Sequence, residues 1–252
     1  MKKFQRVNLI VFLFLIAATC ISFYISDKTI FWQPMDKPWH LQPSIHEDSL
    51  TQEYKAQYKI LGKQRLSIQV GDTTRVQFYI LVDAWGVPVD EALLAEDFSA
   101  FADLPHVFAL HQRLANRTKH AERTEFRNSI PENIYLFGGD SLEYGRTEYI
   151  PQAGFSKCVF CQHCSDSLML IKVDSLLQAD SLKFIAWTTQ SSRIGDRDSL
   201  HLALRRIADF AKIHPEILFI VQGTHRPTLG TPEARKSCKA HWVPVAILND
   251  RE

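Results

Sequence analysis

The stretch LFIVQGTHRP, Leu218–Pro227, decides the fold. Its opening apolar run is typical of a strand buried on both faces of a parallel sheet. Gly223 breaks the run, and the polar pair Thr224 and His225 follows directly. We therefore predict a buried strand whose carboxyl end presents a hydroxyl and an imidazole. The pair belongs either to a metal site or to a plain polar turn, and the rest of the chain must decide between them.

Similar apolar runs recur along the chain and alternate with helical patterns. Further strands are expected in QFYILV, NIYLFGG, KFIAWTTQ and HWVPVAILN, and RLSIQV alternates well enough for one more. Helices are expected over 89–104, 141–155, 165–178 and 197–214, and a loop that enters a helix over 106–126. This alternation predicts an α/β domain with a largely parallel sheet flanked by helices.

The N-terminus has the pattern of a membrane anchor. Residues 7–26 carry no charge and follow Lys2, Lys3 and Arg6. A helix needs roughly 20 apolar residues to cross a bilayer. Because basic residues stay on the cytoplasmic side, the rest of the chain is expected outside the plasma (inner) membrane, as a single-pass protein with a cytoplasmic N-terminus.

The expected organisation has three parts: an anchor over 1–26, a spacer and entry segment over 27–75, and the α/β domain over 76–252. A cleaved signal peptide is the alternative to an anchor, although its apolar region is usually shorter. AATC, which ends at Cys20, also matches a lipoprotein cleavage site. We favour an uncleaved anchor because the apolar run continues past Cys20.

Charge and cysteine content narrow the function further. The formal net charge of +1 gives no electrostatic reason to expect a nucleic-acid partner. An exported domain sits where disulfides persist, so we interpret Cys158, Cys161, Cys164 and Cys238 as structural cysteines. Four cysteines permit three pairings, and sequence alone does not choose among them. CVFCQHC also has the CxxC spacing of a zinc site, which stays open as an alternative.

Polar residues follow the predicted strands at their carboxyl ends, where ligands sit in open α/β sheets. They are Asp83, Gly139-Asp140, Thr188-Thr189-Gln190 and Thr224-His225. These four ends are expected to converge on one crevice. The alternative is that strand ends are polar because loops are exposed to solvent.

The segments ILVDAWG, NRTKHAE, YLFGGDSLEYGRTEYIPQAGF, TTQSSR, FIVQGTHRP and WVPVAIL occur in an order that resembles the sulfatase-like branch of the alkaline phosphatase superfamily. The relatives implied are membrane-anchored lipoteichoic acid synthases and phosphoethanolamine transferases. The resemblance runs from about residue 76 to 248. It implies the alkaline phosphatase-like fold and phosphate or sulfate ester chemistry.

By this resemblance Thr118 is the catalytic nucleophile, and Asp83, Thr118 and His225 are the metal ligands. A free hydroxyl is a poor nucleophile near neutral pH, and coordination to a divalent cation lowers its pKa. Hard oxygen ligands suit Mn²⁺ or Mg²⁺, and mixed oxygen and nitrogen ligands suit Zn²⁺. The expected cofactor is therefore a divalent metal, Mn²⁺ or Zn²⁺. For Thr118 the plain alternative is a helix N-cap.

The resemblance also implies a substrate-binding part. Arg146 falls where relatives hold a headgroup phosphate, and a planar guanidinium suits bidentate phosphate binding. Tyr144 occupies the aromatic position, and Gln190 stands where relatives often carry a histidine. Thr224 replaces an aspartate of the family pattern, so the metal site should be less anionic and bind its cation more weakly. Asp140, Asp196 and Asp198 are the candidates for a replacement carboxylate.

Three functions are compatible with these features. The first is a membrane-anchored, extracytoplasmic phosphotransferase or hydrolase that acts on phosphate or sulfate esters of a phospholipid headgroup or envelope glycan through a threonine-bound intermediate. The second is a pseudoenzyme that binds a headgroup or a partner protein without turnover. The third is a redox or zinc-binding module built on CVFCQHC. We favour the first.

Overall fold

The computed structural model describes residues 49–66, 75–113, 117–126, 134–153, 155–162, 164–178, 184–192, 196–227 and 236–250. They belong to one compact unit, Ile45–Glu252. The predicted anchor, 1–26, lies outside the described residues, as does most of the predicted spacer. Within the described ranges, no helix combines the length and apolar character needed to cross a membrane.

The described residues form one sheet of eight strands. The strands are β1 Lys59–Leu61, β2 Gln77–Val82, β3 His106–Gln112, β4 Ile134–Gly138, β5 Lys157–Phe160, β6 Phe184–Thr188, β7 Leu218–Gly223 and β8 Trp242–Leu248. Their order across the sheet is β1-β3-β8-β7-β2-β6-β4-β5. Strand β1 comes from the segment predicted to be a spacer, and it pairs with β3 at one edge of the sheet.

Helices accompany the strands along the chain. They are α1 Gln52–Gln57, α2 Glu91–Ser99, α3 Thr118–Glu125, α4 Arg146–Ala153, α5 Asp166–Leu177 and α6 Arg197–Ile213, with a 3₁₀ turn at Glu143–Gly145. Side chains cap two of them: Ser165 accepts a hydrogen bond from Leu168 N at the start of α5, and Asp196 accepts one from Ser199 N at the start of α6. The predicted α/β class with a largely parallel sheet is confirmed.

Strand direction places the loops that matter at one edge of the sheet. All neighbouring strands pair in parallel except β8, which runs antiparallel between β3 and β7. The carboxyl ends of β2, β4, β6 and β7 therefore open on the same edge. Because both faces of the sheet are covered, every residue of β2, β6 and β7 is buried, as their continuous apolar runs predict.

Two strands were not expected from the sequence. Residues 106–112, which we interpreted as a loop, form β3, and β5 lies in the cysteine-rich segment. Strand β3 is exposed at its start and carries histidine and glutamine, while β5 is a short, half-buried edge strand. Neither therefore shows a continuous apolar run. Arg65 and Leu66 of the predicted strand RLSIQV are not in a strand, and the remaining residues of that segment lie outside the described ranges.

The loop after β2 and the loop after β7 approach each other too closely for side chains. A Cβ atom on Gly223 would lie 1.9 Å from the carbonyl oxygen of Trp85, and one on Gly86 would lie 2.6 Å from Cα of Arg226. Only glycine fits at either position without a backbone shift. This contact fixes the distance between the two loops, one of which carries Asp83 and the other His225.

We expect Gly223→Ala to destabilise the protein by about 1–3 kcal/mol, because the added methyl group must push the two loops apart. The measurement is the urea midpoint of unfolding at unchanged slope. Gly62→Ala is the matched control, since a Cβ there meets no atom within 4 Å. Equal midpoints for both variants would contradict the close packing of these loops.

Candidate functional site

Asp83, Thr118 and His225 lie together at the carboxyl edge of the sheet. The Thr118 hydroxyl donates a hydrogen bond to Asp83 Oδ1 at 2.6 Å. His225 Nε2 lies 3.1 Å from the same hydroxyl and 3.5 Å from Asp83 Oδ1. All three side chains are buried. Three loops far apart in sequence thus place a carboxylate, a hydroxyl and an imidazole around one point.

The start of α3 directs the Thr118 hydroxyl into this site. The N-cap of the helix is Arg117, whose extended backbone precedes the first turn and whose side chain makes no capping hydrogen bond. Thr118 is the first helical residue, so its hydroxyl does not serve as the cap and reaches Asp83 instead. The N-cap interpretation of Thr118 is therefore wrong. A helix N-terminus also favours a bound anion such as a phosphate.

A strained turn holds Asp83. Ala84 adopts a left-handed conformation, with φ of 57°, which costs a non-glycine residue about 1–3 kcal/mol. This turn brings the Ala84 backbone N–H within 3.0 Å of Asp83 Oδ1 and 3.1 Å of the Thr224 hydroxyl oxygen. The Asp83 backbone N–H donates to Thr189 at the end of β6. The strained residue of this turn directly follows the carboxylate.

Two further hydroxyls bind the Asp83 carboxylate. Thr224 donates to Oδ1 at 3.0 Å, and Tyr144 donates to Oδ2 at 3.1 Å. Tyr144 also has a left-handed backbone, with φ of 53°, in the 3₁₀ turn that precedes α4. The predicted substrate-binding tyrosine therefore reaches the carboxylate itself in this structure.

The hydrogen bonds of His225 define its tautomer. Its Nδ1 lies 2.6 Å from the Arg226 carbonyl oxygen, which can only accept, so Nδ1 carries the proton. Burial lowers the pKa of His225, although the Asp83 carboxylate and that carbonyl oppose the shift. The ring is therefore neutral near pH 7, and Nε2 presents a lone pair. Metal-binding histidines commonly donate their other ring N–H to a backbone carbonyl in this way.

The contact between the Thr118 hydroxyl oxygen and His225 Nε2 has no proton to form a hydrogen bond. Thr118 has one hydroxyl hydrogen and directs it to Asp83, its shorter contact. The lone pair of His225 Nε2 then faces a second lone pair on the Thr118 oxygen. A divalent cation among Asp83, Thr118 and His225 would satisfy both atoms and balance the buried carboxylate. The donor set therefore fits the predicted cation.

Asp83 is the carboxylate of this site, and none of the three candidate replacement carboxylates joins it. In the described part of the chain, no group of three or more His, Cys, Asp or Glu side chains could hold a metal. The proposed replacement carboxylates act elsewhere: Asp140 binds Leu142 N and Gln162, Asp196 caps α6, and Asp198 is exposed. The groups that remain around Asp83 are the hydroxyls of Thr118, Thr224 and Tyr144 and the imidazole of His225.

The structure buries Arg146 completely. Its guanidinium forms a fully buried ion pair with Glu122 and donates to the Asp140 carbonyl at 2.7 Å. It also lies 5.1 Å from the centroid of the Tyr144 ring and 5.5 Å from that of Phe160. In this conformation Arg146 connects α3 to α4 and does not reach solvent, so it is not placed to receive a headgroup phosphate.

Sequence reasoning assigned no role to Glu122, which organises the residues beneath the site. Besides Arg146, it accepts hydrogen bonds of 2.6 Å from the Tyr149 hydroxyl and from the Thr188 hydroxyl. A carboxylate four residues after Thr118 lies on the same face of α3, which is the signal that could have indicated an inward-facing acid. Glu122 thus joins α3, α4 and β6.

Gln190 and the cysteines make their described contacts with residues other than Asp83. The Gln190 side chain packs over Gly139, where an added Cβ would collide with it, and its backbone N–H binds Asp166. Cys161 and Cys164 form a disulfide, whereas Cys158 and Cys238 are free thiols. The expectation of a disulfide is confirmed for one pair. Cys158 and Cys161 pack against opposite faces of the sheet, which disfavours a disulfide between them.

Fold and site together define an α/β protein with a candidate cation site built around a hydroxyl at a helix N-terminus. The fold is similar to that of a protein in the alkaline phosphatase superfamily, so the resemblance seen in the sequence is confirmed at the level of fold. A protein of that superfamily from Vibrio parahaemolyticus is similar at a TM-score of 0.53, with 13% identity over 71% of this chain and 61% of its own.

Two further solved structures are similar at lower scores. The lipoteichoic acid synthase LtaP from Listeria monocytogenes has a TM-score of 0.49 and 12% identity, over 68% of this chain and 65% of its own. The zinc complex of the C-terminal periplasmic domain of EptC from Escherichia coli has a TM-score of 0.49 and 8% identity, over 72% and 74%. The chain therefore spans less than two thirds of the first two proteins. No protein-family model and no curated protein matches the sequence.

We expect Glu122→Gln to destabilise the protein by about 3–5 kcal/mol, because it leaves the Arg146 charge buried without a partner. Glu148→Gln is the matched control: Glu148 pairs with Lys119 and Arg123 at the surface, where solvent screens the charges, so its loss should leave the stability nearly unchanged. Denaturant unfolding of both variants measures the difference. A loss as small for Glu122 as for Glu148 would contradict the buried ion pair.

Proposed function

We propose that this protein is a metal-dependent phosphotransferase or phosphoester hydrolase whose nucleophile is Thr118. The observation that carries the proposal is the meeting of Thr118 with Asp83 and His225 in an alkaline phosphatase-like fold. That arrangement supplies a cation site and a hydroxyl at the same point. The described residues leave Asp83 without a Lys or Arg partner, which is a reason to expect a cation there.

The residues that would hold the cation are Asp83, Thr118 and His225. When bound, it would supply Lewis acidity that lowers the pKa of a hydroxyl and polarises a phosphoryl oxygen. Asp83 orients the Thr118 oxygen through their 2.6 Å hydrogen bond. The Arg226 carbonyl keeps the His225 proton on Nδ1, so Nε2 stays available as a donor of its lone pair. The N-terminus of α3 favours the negative charge of an incoming phosphoryl group.

The Thr118 oxygen would lose its proton and attack phosphorus, the bond from phosphorus to the ester oxygen would break, and the substrate's alcohol would leave with that oxygen after taking up a proton. The phosphorylated threonine would then transfer its phosphoryl group to a second alcohol or to water. The identity of that acceptor decides between transferase and hydrolase. The same geometry admits a sulfuryl group, since both esters present tetrahedral anions.

The substrate we propose is a phospholipid headgroup or envelope glycan outside the cytoplasm. The net charge of +1 does not favour nucleic acid as the alternative partner. The apolar run over 7–26 would keep the domain beside the plasma membrane, where such esters occur. Among the structures of similar fold, one protein is a lipoteichoic acid synthase and another is a periplasmic domain solved with zinc.

A pseudoenzyme is the second candidate, and two observations favour it. Thr224 stands where the family pattern has an aspartate, which removes a negative charge beside Asp83. In addition, Thr118 is only 5% exposed, and Tyr144 donates to the carboxylate that the cation would need. A chain that had lost turnover could keep this fold and bind a headgroup or partner protein.

Replacing Thr118 with alanine tests the nucleophile. Hydrolysis of bis(p-nitrophenyl) phosphate with added Mn²⁺ or Zn²⁺ should fall by at least about a thousandfold, because the attacking oxygen is gone. Thr51→Ala is the matched control, since Thr51 caps α1 and should leave turnover unchanged. Equal activity in the Thr118 variant would exclude it as the nucleophile, and no turnover by the wild type with either metal would favour the pseudoenzyme.

Restoring a carboxylate at position 224 tests the cation site separately from turnover. Thr224 donates to Asp83 Oδ1, so Thr224→Asp would place a second charge at the same oxygen. Without metal the variant should be less stable, because two buried carboxylates repel. Its affinity for Mn²⁺, measured by calorimetry, should rise by at least about tenfold. Thr224→Asn is the uncharged control, and equal affinity in both variants would show that residue 224 does not face a cation.

A further inference from the structure

The Cys161–Cys164 disulfide lies between a strand and a helix. Cys161 directly follows Phe160, the last residue of β5, and Cys164 directly precedes Ser165, the N-cap of α5. The sequence predicted a helix over 141–155 directly before the cysteines, whereas in the structure strand β5 lies between that helix and Cys161. A helix N-terminus favours the thiolate form of a nearby cysteine, which is the reactive species in thiol–disulfide exchange.

The two sulfurs differ in access. Cys161 is half-buried and packs at the border of the core, whereas Cys164 is only 9% exposed. An external thiol can therefore approach Cys161 more readily than Cys164. When an external thiolate attacks such a disulfide, the accessible sulfur forms the bond to the partner and the shielded sulfur is the leaving group.

The fold does not depend on this disulfide for the position of the segment. The cysteines are separated by 3 in sequence, and so short a loop constrains the unfolded chain only slightly. Other bonds hold the segment: the Cys161 N–H donates to the Gly138 carbonyl at 3.0 Å, and Gln162 donates to Asp140 at 2.9 Å. The reduced form can therefore keep the same fold.

The two free cysteines do not compete with this pair. Cys158 packs against the opposite face of the sheet, and burial raises the pKa of its thiol. Cys238 lines a small cleft with Leu93 and Arg197, and burial raises its pKa as well. Both thiols are less reactive than an ordinary cysteine, so Cys161 and Cys164 are the cysteines of the described chain suited to exchange.

We propose that Cys161–Cys164 is a thiol–disulfide exchange site for an external dithiol. A thiolate of the dithiol attacks Sγ of Cys161, the Cys161–Cys164 bond breaks, and the electron pair leaves on Sγ of Cys164, which takes up a proton. The second thiol of the partner then attacks the partner's first sulfur, which is bonded to Cys161 in the mixed disulfide, and releases Cys161 as a thiolate. The dithiol is oxidised by two electrons, and the cysteine pair is reduced by two.

The test uses the full chain with dithiothreitol and glutathione as probes. Native wild-type protein is equilibrated with dithiothreitol, alkylated and mapped by peptide mass, while circular dichroism monitors the fold. The expected result is reduction of Cys161–Cys164 with an unchanged spectrum. Cys158→Ser and Cys238→Ser are the controls, and in both variants the Cys161–Cys164 disulfide should be reduced to the same extent as in the wild type. Reduction that occurs only after unfolding in urea would overturn the proposal.

Single variants identify the attacked sulfur. With oxidised glutathione, Cys164→Ser should form a mixed disulfide at Cys161 at least about tenfold faster than Cys161→Ser forms one at Cys164. Equal rates, or faster reaction at Cys164, would overturn the assignment of Cys161. If either variant fails to fold, partial reduction of the wild type by reduced glutathione answers the same question, because mass mapping shows which cysteine carries the glutathione.

Discussion

The hydrogen bond from Thr118 to the buried carboxylate of Asp83 is the interaction on which the candidate site depends. A buried anion is costly unless polar groups satisfy it, and this one collects donors from the turn after β2, the start of α3 and the loop after β7. Each donor fixes an element: the left-handed turn at Ala84, the direction of α3 and the close approach at Gly223. Backbone strain and close packing at this edge both follow from the need to surround the buried Asp83 carboxylate with hydrogen-bond donors.

The buried charges nearby are unevenly compensated. Glu122 and Glu125 lie on the same helix as Thr118, and each forms a buried ion pair with an arginine, Arg146 and Arg113 respectively. Asp83, in contrast, has only the neutral His225 as a partner among the described ion pairs. The helix that carries Thr118 is therefore held rigidly by completed pairs, while the point that Thr118 faces keeps a net negative charge. A divalent cation bound there, as proposed, would complete this charge balance.

The sequence predicted the parts of the fold that follow from continuous apolar runs. Strands β2, β6 and β7 are such runs, and their shared direction explains why Asp83, Thr189 and His225 meet at one edge. Strands β3 and β5 were missed because β3 starts exposed and carries histidine and glutamine, and β5 is a short, half-buried edge strand. Arg146 illustrates a second limit: a phosphate-binding arginine and a buried structural one look alike until the partner, here Glu122, is known. Pairing across helices depends on tertiary contacts that periodicity does not contain.

Anomalous scattering from a crystal grown with Mn²⁺ tests the central claim most directly. The account predicts one anomalous peak about 2.0–2.3 Å from an Asp83 carboxylate oxygen, the Thr118 hydroxyl oxygen and His225 Nε2. A well-ordered site without a peak at millimolar Mn²⁺, or a peak bound by other residues, would contradict it. In that case the hydrogen bond between Thr118 and Asp83 would be a structural contact of the fold.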